Sequence, residues 1–215
     1  ALAEDGWRVA IAYRTSREDA DAVVAAVQAQ GSGAVAHQAD VSQPSEVAGL
    51  VAAVCAEWGR IDALITAAGP YHRIGLLHET VAGWHEMFDN NLHPVFYLTR
   101  AVAPVMQEQG WGRIVNFSVV NAGQLQGQPN VTAYTIAKAG VLVLSRSYAK
   151  LLGGHGITVN TISPGFIDTG MDPEFVAQIA PRIPAGRVGA IRFLLSDAAA
   201  YVNGADVQVS GGWGV

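Results

Sequence analysis

Six short and almost wholly apolar runs, separated by stretches with helical spacing, constrain this chain more than any other feature. The runs are 8–13 (Arg-Val-Ala-Ile-Ala-Tyr), 34–39, 61–66, 113–118, 157–162 and 206–209. Each is too short for a helix and reads as a strand. After the first, Ser16 precedes Asp19 by three, a capping-box-like start. Ala20, Val23, Val24 and Val27 follow at helical spacing, and Gly31 stops the run. Ser42 and Pro44 open a second helix, with Val47, Leu50, Val51, Val54 and Trp58 on one face and Gly59 as its stop. A third covers about 91–108, with Leu92, Val95, Phe96, Thr99, Val102, Ala103 and Met106 inward. A fourth runs about 131–152 and ends at Gly153-Gly154.

Strands alternating with helices imply βαβ units and a parallel sheet. The strands are apolar throughout rather than at every second residue, so both sheet faces are covered. The expected fold class is α/β: a doubly wound parallel sheet in a three-layer αβα sandwich. Residues 1–215 form a single domain, with no linker, repeat or low-complexity tract. Ligands of such sheets bind outside the carboxyl ends of the strands, which directs attention to 13–16, 40–41, 66–70, 118–121 and 163–169.

Composition narrows the partners. The net charge of −5 argues against nucleic acid and anionic membranes, both of which select basic patches. No run approaches the roughly 18 apolar residues of a spanning helix. The one cysteine, Cys55, excludes an intrachain disulfide and a cysteine-based zinc site, and makes the cytoplasm the default compartment. The six histidines show no ligand spacing, so no metal is expected. His72, just after Gly69, reads as a solvated loop residue, with a place in the lining of a substrate pocket as the alternative. Only 14% of residues are charged against 50% hydrophobic, and the last two of the four helices are apolar over more than one face, so self-association is expected.

The chemistry concentrates in Tyr134-Thr135-Ile136-Ala137-Lys138, which sets a phenol and an ammonium on one helix face just after a loop leaving a strand end. A phenol of pKa about 10 is a poor acid–base group at neutral pH; a nearby lysine cation favours the phenolate. So tuned, Tyr134 can give a proton to a carbonyl oxygen or take one from an alcohol.

With these motifs the chain resembles the short-chain dehydrogenase/reductase family, and within it the β-oxoacyl-[acyl carrier protein] reductase group. Tyr134–Lys138 is similar to its Tyr-x-x-x-Lys pair. Asp40-Val41, Trp58-Gly59-Arg60-Ile61-Asp62, Thr66-Ala67-Ala68-Gly69, Asn91-Leu92, Ser163-Pro164-Gly165-Phe166-Ile167-Asp168-Thr169 and Val207–Gly212 follow in the family's order. The resemblance spans the chain and implies a Rossmann-like fold. It implies Tyr134 as acid/base, Lys138 as the group that lowers its pKa and holds the nicotinamide ribose, and Asn91 as the residue behind Lys138. It implies that Asp40, Val41, Ala67, Ala68, Gly69, Pro164, Gly165, Ile167 and Thr169 bind the cofactor, together with Tyr134 and Lys138. From the residues alone, Asn91 also reads as a helix N-cap, Asp40 as a polar strand end and Gly69 as a turn.

Tyr13-Arg14 stands where NAD-preferring members place an acidic residue. A guanidinium pairs with a 2′-phosphate, so Arg14 predicts NADP(H). The implied activity is NADPH-dependent reduction of a ketone, with a β-oxoacyl thioester as first guess for the substrate. The rivals are another carbonyl substrate, or a weakly catalytic nucleotide-binding relative. The family is commonly tetrameric through the 91–108 and 131–152 helices, so a homotetramer is expected.

Three departures matter. In Asn116-Phe117-Ser118-Val119-Val120-Asn121 the usual catalytic serine position falls on Val119. Ser118 and Asn121 are both candidates to polarise the carbonyl, although successive strand residues face opposite sides. Thr66-Ala67 replaces Asn-Asn, which predicts a backbone-only contact there. The family's first strand and Gly-rich phosphate loop are expected before Ala1, and 170–171 and 188–191 read as joins in the sequence.

Overall fold

The computed structural model describes residues 2–67, 69–165 and 193–210. Among these, six strands and five α-helices follow one another. They are β1 (Val9–Tyr13), α1 (Arg17–Gln28), β2 (Ala34–Gln38), α2 (Pro44–Trp58), β3 (Ala63–Thr66), α3 (Val81–Asn91), α4 (His93–Gln109), β4 (Gly112–Phe117), α5 (Thr132–Leu152), β5 (Ile157–Pro164) and β6 (Asp206–Val209). All strand pairs are parallel. β1 pairs with β2, and β3, β4, β5 and β6 lie side by side in that order. The described residues thus form two parallel sheets, and β1 and β3 face each other across a cleft of about 920 Å³ rather than through hydrogen bonds.

The larger sheet is covered on both faces, as its apolar strands require. Alternate residues of β4 enter different cores. Ile114 joins Val102, Ala103, Met106, Ala149, Leu152, Ile157 and Val159, the layer made by α4 and α5. Its neighbour Val115 joins Ile162, Leu194, Leu195 and Ala199 on the other side. No helix among the described residues is long and apolar enough to cross a membrane.

Local signals explain most boundaries. Pro44 stands in the first turn of α2, where its missing N–H costs nothing. Gly59 ends that helix at φ 71°, donating to the Cys55 carbonyl at 2.7 Å. Ser16 is an exception: its backbone (φ −84°, ψ 68°) aims no side-chain bond into α1, so the expected capping box is not made.

The one helix not anticipated is α3. Thr80 caps it by accepting the Gly83 N–H at 2.9 Å. Its last residue is Asn91, followed at once by α4 with Pro94 in the first turn.

Candidate active site

α5 delivers Tyr134 and Lys138 from its first two turns, Lys138 against the end of β4 and Tyr134 against Tyr71 in the loop after β3. Tyr134 is largely shielded from water, and burial pushes its phenol up to about 12, with the nearby Tyr71 adding to the shift. Lys138 is buried, and desolvation brings its ammonium down to about 8. Its Nζ donates to the Phe117 carbonyl at 3.0 Å and lies 5.7 Å from the centroid of the Tyr134 ring. Desolvation, with Tyr71 beside the ring, is what raises the Tyr134 phenol, while the Lys138 ammonium is bonded to the end of β4.

Ser118 follows β4 and is 3% exposed. Its hydroxyl donates to the Lys138 carbonyl at 2.8 Å, so it is spent on the backbone of α5. Asn121 sits at φ 66°, with its buried Oδ1 unpartnered. A left-handed asparagine is tolerated, and it places a free acceptor in the loop before α5.

Asn91 does not cap a helix N-terminus; it closes the C-terminal end of α3. Its Nδ2 donates to the Pro70 carbonyl at 3.0 Å, and its Oδ1 is buried without a partner. Gly69 is the reason that side chain fits. At φ 149° it occupies backbone space that disfavours a Cβ, and such a Cβ would collide with Asn91 Oδ1 and lie 2.9 Å from its Cγ. The side chain beside Gly69 is therefore Asn91, and the pair fixes the strand-end turn to α3.

The expected backbone-only contact after β3 is corrected as well. Thr66 donates to Asn116 Oδ1 at 2.7 Å, and Asn116 donates to Ser145 at 2.9 Å. A threonine hydroxyl reaches the neighbouring strand where an asparagine was expected to be needed, and β3, β4 and α5 are joined by one buried polar chain.

Of the expected cofactor residues, Arg14, Asp40, Val41, Ala67 and Gly69 line the space between β1 and β3, as does Asn91. Arg14 Nη1 donates to Asn90 at 3.2 Å across its mouth. Asp40 accepts from both the hydroxyl and the N–H of Ser42, at 2.7 and 2.9 Å, which holds its carboxyl below the usual range. Pro164 and Gly165 end β5, where Gly165 donates to the Val209 carbonyl. Ala68, Ile167 and Thr169, the Gly211-Gly212 turn, and the joins near 170 and 189 lie outside the described residues.

Sequence reasoning missed two features of the site. Tyr71 packs against Tyr134 with ring centroids 5.1 Å apart and planes at 88°. His72 is not a free loop residue, since its Nε2 meets Glu79 at 2.7 Å in a half-buried pair. A histidine and a glutamate seven apart in a loop carry no sequence signal. The aromatic directly after Gly69-Pro70 was a signal that could have been read.

The polar groups fit a nicotinamide dinucleotide: a guanidinium donor at the mouth of the cleft, an orphaned amide-oxygen acceptor lining it, and a buried ammonium beside a phenol. A family model described as Enoyl-(Acyl carrier protein) reductase matches residues 1–214. The chain is 40% identical to the 3-oxoacyl-[acyl-carrier-protein] reductase of Synechocystis over 99% of its own length and 89% of the relative's. It is 37% identical to 3-oxoacyl-[acyl-carrier-protein] reductase FabG of Staphylococcus aureus, over 98% of this chain and 89% of that one. A crystal structure described as a short-chain alcohol dehydrogenase from Sinorhizobium meliloti superposes with a TM-score of 0.90. It is 30% identical and covers 99% of this chain and 88% of that one.

Proposed function

The chain belongs to the short-chain dehydrogenase/reductase family and is an oxidoreductase, and from that premise we propose that it reduces a ketone to a secondary alcohol with NADPH. A β-oxoacyl thioester is the leading substrate, supported by the names of the relatives at 40% and 37% identity. The observation that carries the reading is the pairing of a protonated, shielded Tyr134 with a buried cationic Lys138 at the strand ends.

A bound reduced nicotinamide supplies the hydride in this reading. Tyr134 holds the proton that the carbonyl oxygen needs as it becomes an alkoxide. Burial keeps the phenol protonated at neutral pH, and release of that proton to the carbonyl oxygen depends on the nearby Lys138 ammonium favouring the phenolate. Lys138 holds positive charge beside the phenol, where it steadies the phenolate left after proton transfer. Asn91, through the Pro70 carbonyl, fixes the loop that carries Tyr71 to the site. Ser118 holds α5 in register, and the Asn121 side chain, through its Nδ2 donor rather than its Oδ1, is the polar group left to meet the carbonyl. Arg14, with Asp40 and Val41, takes the adenosine end, and its guanidinium favours a 2′-phosphate. Ala67, Ala68, Gly69, Pro164, Gly165, Ile167 and Thr169 complete the cofactor surface. The enzyme works as a homotetramer in the cytoplasm, with Cys55 as a free thiol.

The test is NADPH oxidation in the presence of acetoacetyl-coenzyme A, followed at 340 nm. Steady turnover that vanishes in Tyr134→Phe is expected. No turnover with any of a panel of ketones, or full turnover in Tyr134→Phe, overturns the reading.

A further inference from the structure

Tyr71 combines a fixed backbone with an open side chain. The carbonyl of the preceding Pro70 is held by Asn91 at 3.0 Å, and the following His72 is held by Glu79 at 2.7 Å. Farther along the same loop, the Leu76 N–H donates to the Pro129 carbonyl at 2.8 Å, which ties it to the loop leading into α5. The chain is thus pinned on both sides of Tyr71 and again at the loop that delivers Tyr134. Yet Tyr71 is 60% exposed, while its ring lies perpendicular to the partly buried Tyr134 ring at 5.1 Å. A large ring on a mobile loop is ordinary surface. A ring on a clamped loop, touching the proton donor and open to solvent elsewhere, is a preformed wall whose ordering cost is met before a ligand arrives.

We propose that Tyr71 is a positioning and specificity residue. It closes one side of Tyr134, so that a carbonyl oxygen reaches the phenol from the other side, with the flat apolar group flanking that carbonyl lying on the open part of the Tyr71 ring. Beside the β-oxoacyl thioester, the additional substrates this ring admits are ketones with an aryl or similarly flat neighbour to the carbonyl. This rests on the ketone-reductase reading. Aromatic rings meet such groups by offset stacking or edge contacts, and the phenolic hydroxyl of Tyr71 is not required for either.

The test compares wild type, Tyr71→Phe and Tyr71→Ala with NADPH, using acetophenone and acetoacetyl-coenzyme A as probes. Tyr71→Ala is expected to raise the KM for acetophenone about three- to tenfold, the range an aromatic pair carries, with kcat changed less. Tyr71→Phe should restore the wild-type KM. An unchanged KM in Tyr71→Ala overturns the proposal, and so does equal impairment in Tyr71→Phe. Turnover of acetoacetyl-coenzyme A with none of acetophenone also overturns it. If the wild type reduces no ketone, the reductase reading fails separately, and aromatic NMR then tests the contact itself. A ring-current-displaced signal in the Tyr134 pair, kept in Tyr71→Phe and lost in Tyr71→Ala, supports the positioning role; a spectrum unmoved by Tyr71→Ala overturns it.

Discussion

The Ser118 hydroxyl donates to the backbone carbonyl of Lys138 at 2.8 Å, and the Lys138 ammonium donates back to the Phe117 carbonyl at 3.0 Å. The two bonds run in opposite directions between the end of β4 and the first turns of α5. They lock the helix that carries Tyr134 against the strand, and they leave Ser118 with its one donor already used. Ser118→Ala is therefore expected to act on stability. Loss of a buried hydrogen bond costs about 1 kcal/mol, readable as a lower melting temperature, with kcat within about threefold of wild type. A large loss of kcat at unchanged melting temperature would instead put the hydroxyl on the substrate.

In the proposed reaction Lys138 is expected to set the alkaline limb. Its ammonium is brought down to about 8 by burial, while the Tyr134 phenol is pushed up to about 12. Reduction should hold level through neutral pH and fall above about pH 8, as Lys138 loses its proton. Tyr134 stays protonated across that range. Stability runs the other way. The unfolded lysine keeps its proton to about pH 10.4, so between pH 8 and that value the unfolded state binds more protons, and stability rises with pH. Below pH 8 the charged, buried lysine exerts its full penalty. Lys138→Met should remove both trends, measured by a pH–rate profile and by thermal melts across pH 7–10.

Gly69 and Asn91 share one space, so an alanine at 69 should disturb both the turn and the site. A Cβ there lies 2.9 Å from Asn91 Cγ and requires φ near 149° from a residue that resists it. Backbone strain of this kind costs about 1–3 kcal/mol. Gly69→Ala is expected to lower the melting temperature by about 3–10 °C at the scaling for a chain of this size, and to cut kcat/KM by more than tenfold as Asn91 releases the Pro70 carbonyl. Wild-type melting and turnover would show that Asn91 relocates without consequence.

The strands were legible because a parallel sheet buried on both faces writes itself as continuous apolar runs; Ile114 and Val115, adjacent in sequence, each serve a different core. α3 was not legible. Gly83, His85, Glu86, Asp89 and Asn90 interrupt its pattern, and only Met87 and Asn91 of the helix are buried, so no wide apolar stripe marks it. The Thr80 cap was its one local sign. In the site, the Tyr134–Lys138 spacing was readable because it is local. The rise in the Tyr134 phenol's pKa was not, since it depends on how deeply α5 sinks the ring and on Tyr71 lying beside it. Tyr71 reaches Tyr134 only through a fold that returns residues 63 positions apart to one place.

Arg14 gives the cofactor choice a direct reading. It ends the β1 turn exposed at the mouth of the cleft, with one long hydrogen bond to Asn90 that a phosphate can replace. A charge-assisted pair contributes about 1.5–3 kcal/mol, equivalent to roughly tenfold to a hundredfold in KM. The wild type should prefer NADPH to NADH. Arg14→Ala should raise the KM for NADPH by at least tenfold while leaving that for NADH within about threefold. A preference for NADH in the wild type, or equal losses for both cofactors, would detach Arg14 from the 2′-phosphate.

The outer faces of α4 and α5 carry apolar side chains that the protomer does not cover. Phe96 lies on α4, and Ile136, Val143 and Leu151 lie on α5, with Val143 64% and Leu151 68% exposed. Val143 is far enough along α5 from Tyr134 to be changed without touching the site, being nine residues and about 13 Å of helix rise away. A carboxylate placed there costs little in an isolated protomer, where it meets water, but is strongly unfavourable in an apolar contact between subunits. Val143→Asp is therefore expected to shift the mass measured by light scattering from four chains toward one or two. The melting temperature should rise with protein concentration in the wild type and not in the variant, because association stabilises by mass action. An unchanged mass in Val143→Asp would exclude this face of α5 from the assembly.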